Sequence, residues 1–406
     1  MSDISTPEAS RPTSAVVLAA GEGIRLRPLT ANRPKPMLPA GTRPILEYVL
    51  NALIDAGIDE IHLVVGYQAN RVRSHFGSSY RDVPLTYHTQ ENQLGSGHAL
   101  LQARNGPSGS FLLVNGDQII DHRIVEAVST AHDTASATLA VVEGPEAVDY
   151  GAVDLNGNKI TKLIEQPAAG EFRLFNAGVY AFTQQIFDTL ETLSTDRGEL
   201  PLTDGIEQLI ADTNHTVGGV RTDHFWMDAT HPWDLLSLSQ ELLSRGWVDI
   251  PEVDTDIYVD DSAHVHPDAT LVGPVVVDSD AIIEAGAVVG PYAAIGASTT
   301  IGSGSVLSDV VVDTDTTIGQ NSTAIDLVVG QGCEVGPALT AEGGPADVVL
   351  DEQVYSDVDL GGVVSDRVDL GGSVTIEPGA LIGPDATVGA GVVVRGHIDA
   401  GSEVVR

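Results

Sequence analysis

The segment Leu18-Ala19-Ala20-Gly21-Glu22-Gly23-Ile24-Arg25-Leu26-Arg27-Pro28-Leu29-Thr30, continued by Arg33-Pro34-Lys35-Pro36-Met37-Leu38-Pro39, decides how the first half of this chain folds. It leaves an apolar run, residues 15–20, of a length suited to a buried strand. Gly21 and Gly23 let backbone N–H groups approach an anionic ligand closely. Arg25 and Lys35 bring phosphate-neutralising charge to the same stretch. A dinucleotide-binding turn would want a third glycine at position 26, where Leu26 stands. Working outward, residues 44–56 predict a helix that stops at Gly57, residues 61–66 a second strand and residues 111–115 another. Such alternation predicts an α/β domain, a mainly parallel sheet with helices on both faces, over residues 14–245. Ligands then sit at the carboxyl ends of strands. The turns after Ala20 and Asn115 are therefore the first places to seek chemistry.

Beyond the helix–strand region the periodicity changes. Aliphatic residues recur every six positions at Val265, Leu271, Val277, Ile283, Val289, Ile295 and Ile301, and again at Ile376, Ile382 and Val388. Four places after each comes a small residue, as at Ala281, Ala287, Ala293, Thr299 and Ser305. A short fixed repeat predicts a solenoid, here three six-residue sides per coil with the aliphatics stacked inside. This second domain spans residues 257–406. Residues 337–358 break the pattern and predict a loop or an irregular coil, and residues 246–256, with Pro251, a linker.

Composition narrows the function classes. The net charge is −37, from 57 acidic residues against 20 Lys+Arg, and lysine occurs only at 35, 159 and 162. The acid surplus is spread along the chain and predicts adaptation to molar salt, where screening suppresses self-repulsion. A nucleic-acid partner is excluded by the lack of clustered cations. No apolar run is long enough to span a bilayer, and the first 14 residues lack a secretory pattern. The single Cys333 cannot pair within the chain, which fits a cytoplasmic protein.

The opening segment resembles the signature of the sugar-1-phosphate nucleotidylyltransferases, Leu-Ala-Ala-Gly-x-Gly-x-Arg-Leu-x-Pro-Leu-Thr followed by Pro-Lys-Pro. Further matches follow in that family's order: Gln90-Glu91-Asn92-Gln93-Leu94-Gly95-Ser96-Gly97-His98-Ala99, Asn115-Gly116-Asp117, Tyr150-Gly151, Glu165-Gln166-Pro167, Asn176-Ala177-Gly178 and Trp226-Met227-Asp228. The resemblance implies that Leu18, Ala20, Gly21, Gly23, Gln90, Gln93, Gly95 and Ser96 bind the nucleotide. It implies that Gly151, Glu165, Asn176 and Gly178 contact the sugar phosphate. Asp117 and Asp228 would hold Mg²⁺, Arg25 would face the departing pyrophosphate, and Lys35 would neutralise charge near the α-phosphate. One departure stands out: many hexose enzymes of the family carry lysine where this chain has Gln166. The implied substrates are UTP or dTTP and glucose 1-phosphate or N-acetylglucosamine 1-phosphate.

The hexapeptide repeats resemble the left-handed parallel β-helix of two-domain archaeal members. In relatives that are bifunctional, this domain transfers an acetyl group from acetyl-CoA to an amino sugar. That chemistry uses a base, usually histidine, and cations for CoA phosphates. Here Gly319-Gln320-Asn321-Ser322-Thr323 stands where the resemblance places a His-x-x-Tyr pair, and no lysine follows Lys162. The expectation is therefore a structural β-helix that supports a homo-oligomer, trimer-based by resemblance. Alternatives are a bifunctional acetyltransferase and a non-catalytic regulatory subunit of the same fold.

Overall fold

Residues Ser14–Ala19, small or aliphatic and almost wholly buried, form a central strand. It runs parallel to Glu60–Val65 on one side and Phe111–Asn115 on the other, with Val83–Thr89 continuing the parallel series. The computed structural model in which this is seen describes residues 11–144, 150–165, 173–193, 198–350 and 353–405. The described residues form two compact units: those of 11–22 with those of Ile45–Met227, and Gly23–Pro44 with those that follow from Asp228.

In the first unit the sheet has ten strands among the described residues. Leu174–Phe182 joins it antiparallel to both Phe111–Asn115 and Ala137–Glu143, and Val217–Arg221 restores a parallel pairing with Ala137–Glu143. The helix Ile45–Asp55 buries Ile45, Leu46, Val49, Leu50 and Leu53, a 3.6-residue apolar stripe, and Gly57 follows it at φ +89°. Phe111, Phe182 and Phe187 pack in the core beside Leu139 and Leu202. Each such side chain, fully buried, contributes about 1.5–3 kcal/mol.

In the second unit the six-residue period becomes a three-sided parallel β-helix. Val275–Val277 lies over Ala293–Ile295, which lies over Val310–Val312, then Leu327–Val329. Ile282–Ile283, Thr300–Ile301 and Thr317–Ile318 stack on a second side, and Val288–Val289, Val306–Leu307 and Thr323–Ala324 on the third. Val277, Ile283, Val289, Ile295 and Ile301 are all fully buried, and so are Ala281, Ala287, Ala293, Thr299 and Ser305. Strand register thus converts a sequence period into one continuous interior.

Two expectations change. Residues 337–358 do not form a loop or irregular coil. Thr340–Ala341 completes a side of the β-helix, and Pro345–Leu350 pairs antiparallel with Gln353–Asp359 as a hairpin. Gly343 and Gly344, both at positive φ, turn the chain out of the coil, and Val348, Val349, Val354, Tyr355 and Val358 then favour strand. The expected linker is also partly ordered against its neighbours: Glu252–Asp254 pairs with Ile257–Val259, and Ile250 is buried with Leu243, Tyr258, Val276 and Ala294. Among the described residues no helix is long and apolar enough to cross a membrane.

Candidate active site

The carboxyl end of the central strand opens into a cleft of about 380 Å³. Its wall is Leu18, Ala20, Gly21, Gln90, Gln93, Gly95, Ser96, Ala99, Asn115, Asp117 and Glu199. Seven of the eight residues expected to bind nucleotide are therefore gathered here, together with Asp117. Ala99 closes the Gln90–Ala99 segment quoted from the sequence, whereas Glu199 carried no signal there, because it belongs to no recognisable pattern.

Local chemistry builds each wall. Gln90 is buried and donates through Nε2 to Gly95 O at 3.0 Å, and the same nitrogen lies 3.0 Å from His98 Nδ1. Ser96 Oγ accepts from Leu202 N–H at 2.9 Å, fixing the start of the helix Ser96–Gln102. Gly95 has φ +93°, and a Cβ there would meet Leu200 O at 2.6 Å, so only glycine fits this turn. Gly116 N–H donates to Leu18 O at 2.8 Å, which draws the Asn115–Asp117 turn against the strand end.

A second group of expected residues adjoins this wall through Asn115. Gly178, at φ +69°, lies where a Cβ would stand 2.6 Å from Asn115 Nδ2. Gly178 N–H donates to Asn176 Oδ1 at 3.0 Å, Asn176 N–H donates to Gly151 O at 2.8 Å, and Asn176 Nδ2 donates to the Tyr180 hydroxyl at 2.5 Å. Burial pushes the Tyr180 phenol up to about 12, so it stays protonated. Trp226 Nε1 donates to Ala177 O at 2.7 Å and Gln118 Oε1 at 3.0 Å, and its ring packs against Tyr150 and Phe175. Glu165 Oε1 accepts from Thr203 Oγ1 at 2.7 Å. Gln166 and Pro167 lie outside the described residues.

The remaining expected residues belong to the second unit. Lys35 is 8% exposed, and its Nζ lies 2.5 Å from Asp228 Oδ1. Gly23 has φ +71°, its carbonyl accepts from Thr30 Oγ1 at 2.8 Å, and a Cβ there would stand 2.8 Å from Lys35 Cβ. Arg25 is exposed in the middle of a short 3₁₀ turn, Ile24–Leu26.

The fit of these residues to a magnesium ion can be judged from the donors. Asp117 offers hard carboxylate oxygen on the cleft wall. Among the described residues no group of three or more His, Cys, Asp or Glu forms a protein-only cage. A hard carboxylate oxygen is a donor of the kind Mg²⁺ takes, one or two carboxylates beside waters and substrate phosphates.

Residues 14–245 match the nucleotidyl transferase family, and the chain belongs to it. Residues 271–360 match the GMPPB C-terminal domain. Bifunctional protein GlmU of Methanococcus maripaludis strain S2 is 32% identical over 97% of this chain and 97% of its own. The same-named protein of Methanococcus aeolicus is 33% identical over the same shares. UTP–glucose-1-phosphate uridylyltransferase AglF of Haloferax volcanii is 36% identical over 56% of this chain and 96% of its own. In fold, the chain is similar to a UDP-glucose pyrophosphorylase from Acinetobacter baumanii, with TM-score 0.51 and 23% identity over 58% of this chain and 94% of that one. The chain is a sugar-1-phosphate nucleotidyltransferase, and its full-length relatives are archaeal proteins of the GlmU type.

Proposed function

We propose that the enzyme transfers a uridylyl group from UTP (or thymidylyl from dTTP) to glucose 1-phosphate or N-acetylglucosamine 1-phosphate, in residues 14–245. The observation that carries this is the cleft itself. Gly21 leaves open backbone at the strand end, Gln90 and Gln93 supply amide edges for a base, and Asp117 stands on the same wall. A phosphate oxygen of the sugar attacks the nucleotide α-phosphorus. The bond from that phosphorus to the β-phosphate oxygen breaks, and pyrophosphate leaves. The nucleophile is already an oxyanion, so the protein supplies position and charge rather than a base.

Asp117 and Asp228 would hold Mg²⁺, which when bound neutralises charge on the reacting phosphates. Gly151, Asn176 and Gly178 orient the sugar phosphate, with Glu165 held by Thr203. Lys35 offsets phosphate charge and Arg25 meets the pyrophosphate. The test is pyrophosphate release across a matrix of nucleotides and sugar phosphates in molar KCl. Turnover with UTP should exceed that with ATP or GTP by at least about tenfold, a difference of roughly 1.4 kcal/mol in transition-state binding. Equal rates with purine nucleotides would overturn the pyrimidine reading.

A second reading comes from the full-length relatives, which bear the name bifunctional over 97% of the chain. It gives the β-helix, residues 257–406, its own acyl transfer to an amino sugar phosphate, and the whole-chain likeness supports it over a purely structural domain. The lack of lysine after Lys162 requires that any CoA phosphates be met by other groups. Free-thiol release from acetyl-CoA with glucosamine 1-phosphate decides between the two. The stacked faces of the β-helix also suit assembly into a homo-oligomer, trimer-based, which light scattering measures. The acid surplus suits a salt-rich cytoplasm.

A further inference from the structure

One buried charged cluster of the second unit has no part in the transfer described above. Arg33 is 5% exposed. Its Nη1 donates to Asp313 Oδ2 at 2.5 Å and its Nη2 to Asp366 Oδ1 at 2.7 Å. Both carboxylates are anchored by coil backbone. Thr314 N–H donates to Asp313 Oδ1 at 2.7 Å, and Gln331 N–H donates to Asp366 Oδ1 at 3.1 Å. Asp313 follows the strand end Val312, and Asp366 lies just beyond Val364; the coil between them ends its strand at Val329. There the next residue is Gly330, and a Cβ on it would meet Asp366 Oδ1 at 2.6 Å. The intermediate coil thus omits a side chain where the aspartate lies across it. One residue before Arg33, Asn32 Nδ2 reaches Asp385 Oδ2 at 3.4 Å.

Two residues after Arg33 comes Lys35, bonded to Asp228. The chain after Asp228 is seated as well. His231 stacks on Trp233 at 4.6 Å, and Tyr355 of the hairpin closes on both rings at 4.6 and 5.3 Å.

We propose that the β-helix sets the working geometry of the Lys35–Asp228 pair, chiefly through Arg33 gripped by Asp313 and Asp366. The proposal rests on the reading that Lys35 and Asp228 serve the transfer. Arg33 is then a positioning residue, acting through Lys35. A buried ion cluster adds little net stability compared with apolar packing. Its distinctive property is direction, because a planar guanidinium meeting two fixed acceptors admits one orientation. An apolar contact would let the Pro34-Lys35-Pro36 turn slide.

The test uses the full chain in high salt. Replacing Arg33→Met, Asp313→Asn and Asp366→Asn together removes the grip without stranding a buried charge. A brief pulse of acetic anhydride then labels lysines, read by peptide mass spectrometry. Lys159 and Lys162 are exposed and serve as internal references. Lys35 labelling should rise roughly tenfold relative to them as local opening becomes easier. In the same protein kcat should fall on the order of tenfold to a hundredfold, with nucleotide KM within about twofold. Unchanged Lys35 labelling overturns the inference. Raised labelling with unchanged kcat overturns the catalytic reading of Lys35 and leaves the mechanical link standing. If the triple variant does not fold, Arg33→Lys answers the same question, since it keeps the charge and loses the fork. Intermediate labelling supports the proposal, and wild-type labelling sinks it.

Discussion

A Cβ added at Gly21 would meet nothing within 4 Å, whereas one added at Gly23 would stand 2.8 Å from Lys35 Cβ. The two glycines are neighbours in one signature, yet they belong to different compact units. Gly21 leaves open space at a strand end. Gly23 keeps space for the chain itself, and its φ of +71° would strain any other residue. A motif that reads as one object is thus two regions in different surroundings: an open cleft wall at Gly21, and a closely packed turn at Gly23.

The largest expected effect separates those regions at once. Asp117→Ala removes a carboxylate from the cleft wall and should lower kcat by roughly a hundredfold or more, about 3 kcal/mol, with circular dichroism unchanged. Wild-type turnover in limiting Mg²⁺ would remove Asp117 from the metal assignment. Next comes salt, which should act on the acid-rich surface throughout. Lowering KCl from molar to about 0.1 M lengthens the Debye length to about 10 Å, and the thermal midpoint should fall by more than about 10 °C, a loss of a few kcal/mol. Full stability in dilute buffer would contradict the salt-adapted reading.

Gly23→Ala comes third. It should cost about 1–3 kcal/mol of strain at the turn and lower kcat more than it raises nucleotide KM. Gly21→Ala should leave the thermal midpoint alone and raise nucleotide KM only a fewfold, about 1 kcal/mol of binding. If both alanine variants behaved alike, the division of the signature into two regions would fail.

Much of this division lay hidden from sequence reading for a physical reason. The strand Phe111–Asn115, the helix Ile45–Asp55 and the aliphatic column of the β-helix are recorded in local periodicity, and each falls where that periodicity places it. Arg33 meets Asp313 and Asp366 at separations of 280 and 333 residues, and such pairings leave no local period. The cleft residues were legible because they lie within quoted motifs. Glu199 and Thr203 were not, since a lone carboxylate or hydroxyl carries no spacing signal. The hairpin strands Pro345–Leu350 and Gln353–Asp359 were missed because their valines, at 348, 349, 354 and 358, follow neither the six-residue period nor a two-residue alternation.

That hairpin has a consequence for counting. Val312 stands over Val329, 17 positions on, while Val329 stands over Val364, 35 positions on. The excess of 18 equals the spacing from Val277 to Ile295, one ordinary coil of this β-helix. The insertion therefore counterfeits a turn of the spiral. A tally by length would award the spiral a rung that its ladder lacks, and a chimera spliced on that tally would join mismatched corners. Excising residues 345–359 behind a short bridge should instead leave the flanking rungs in register, because Leu327 and Gly362 already meet across the gap.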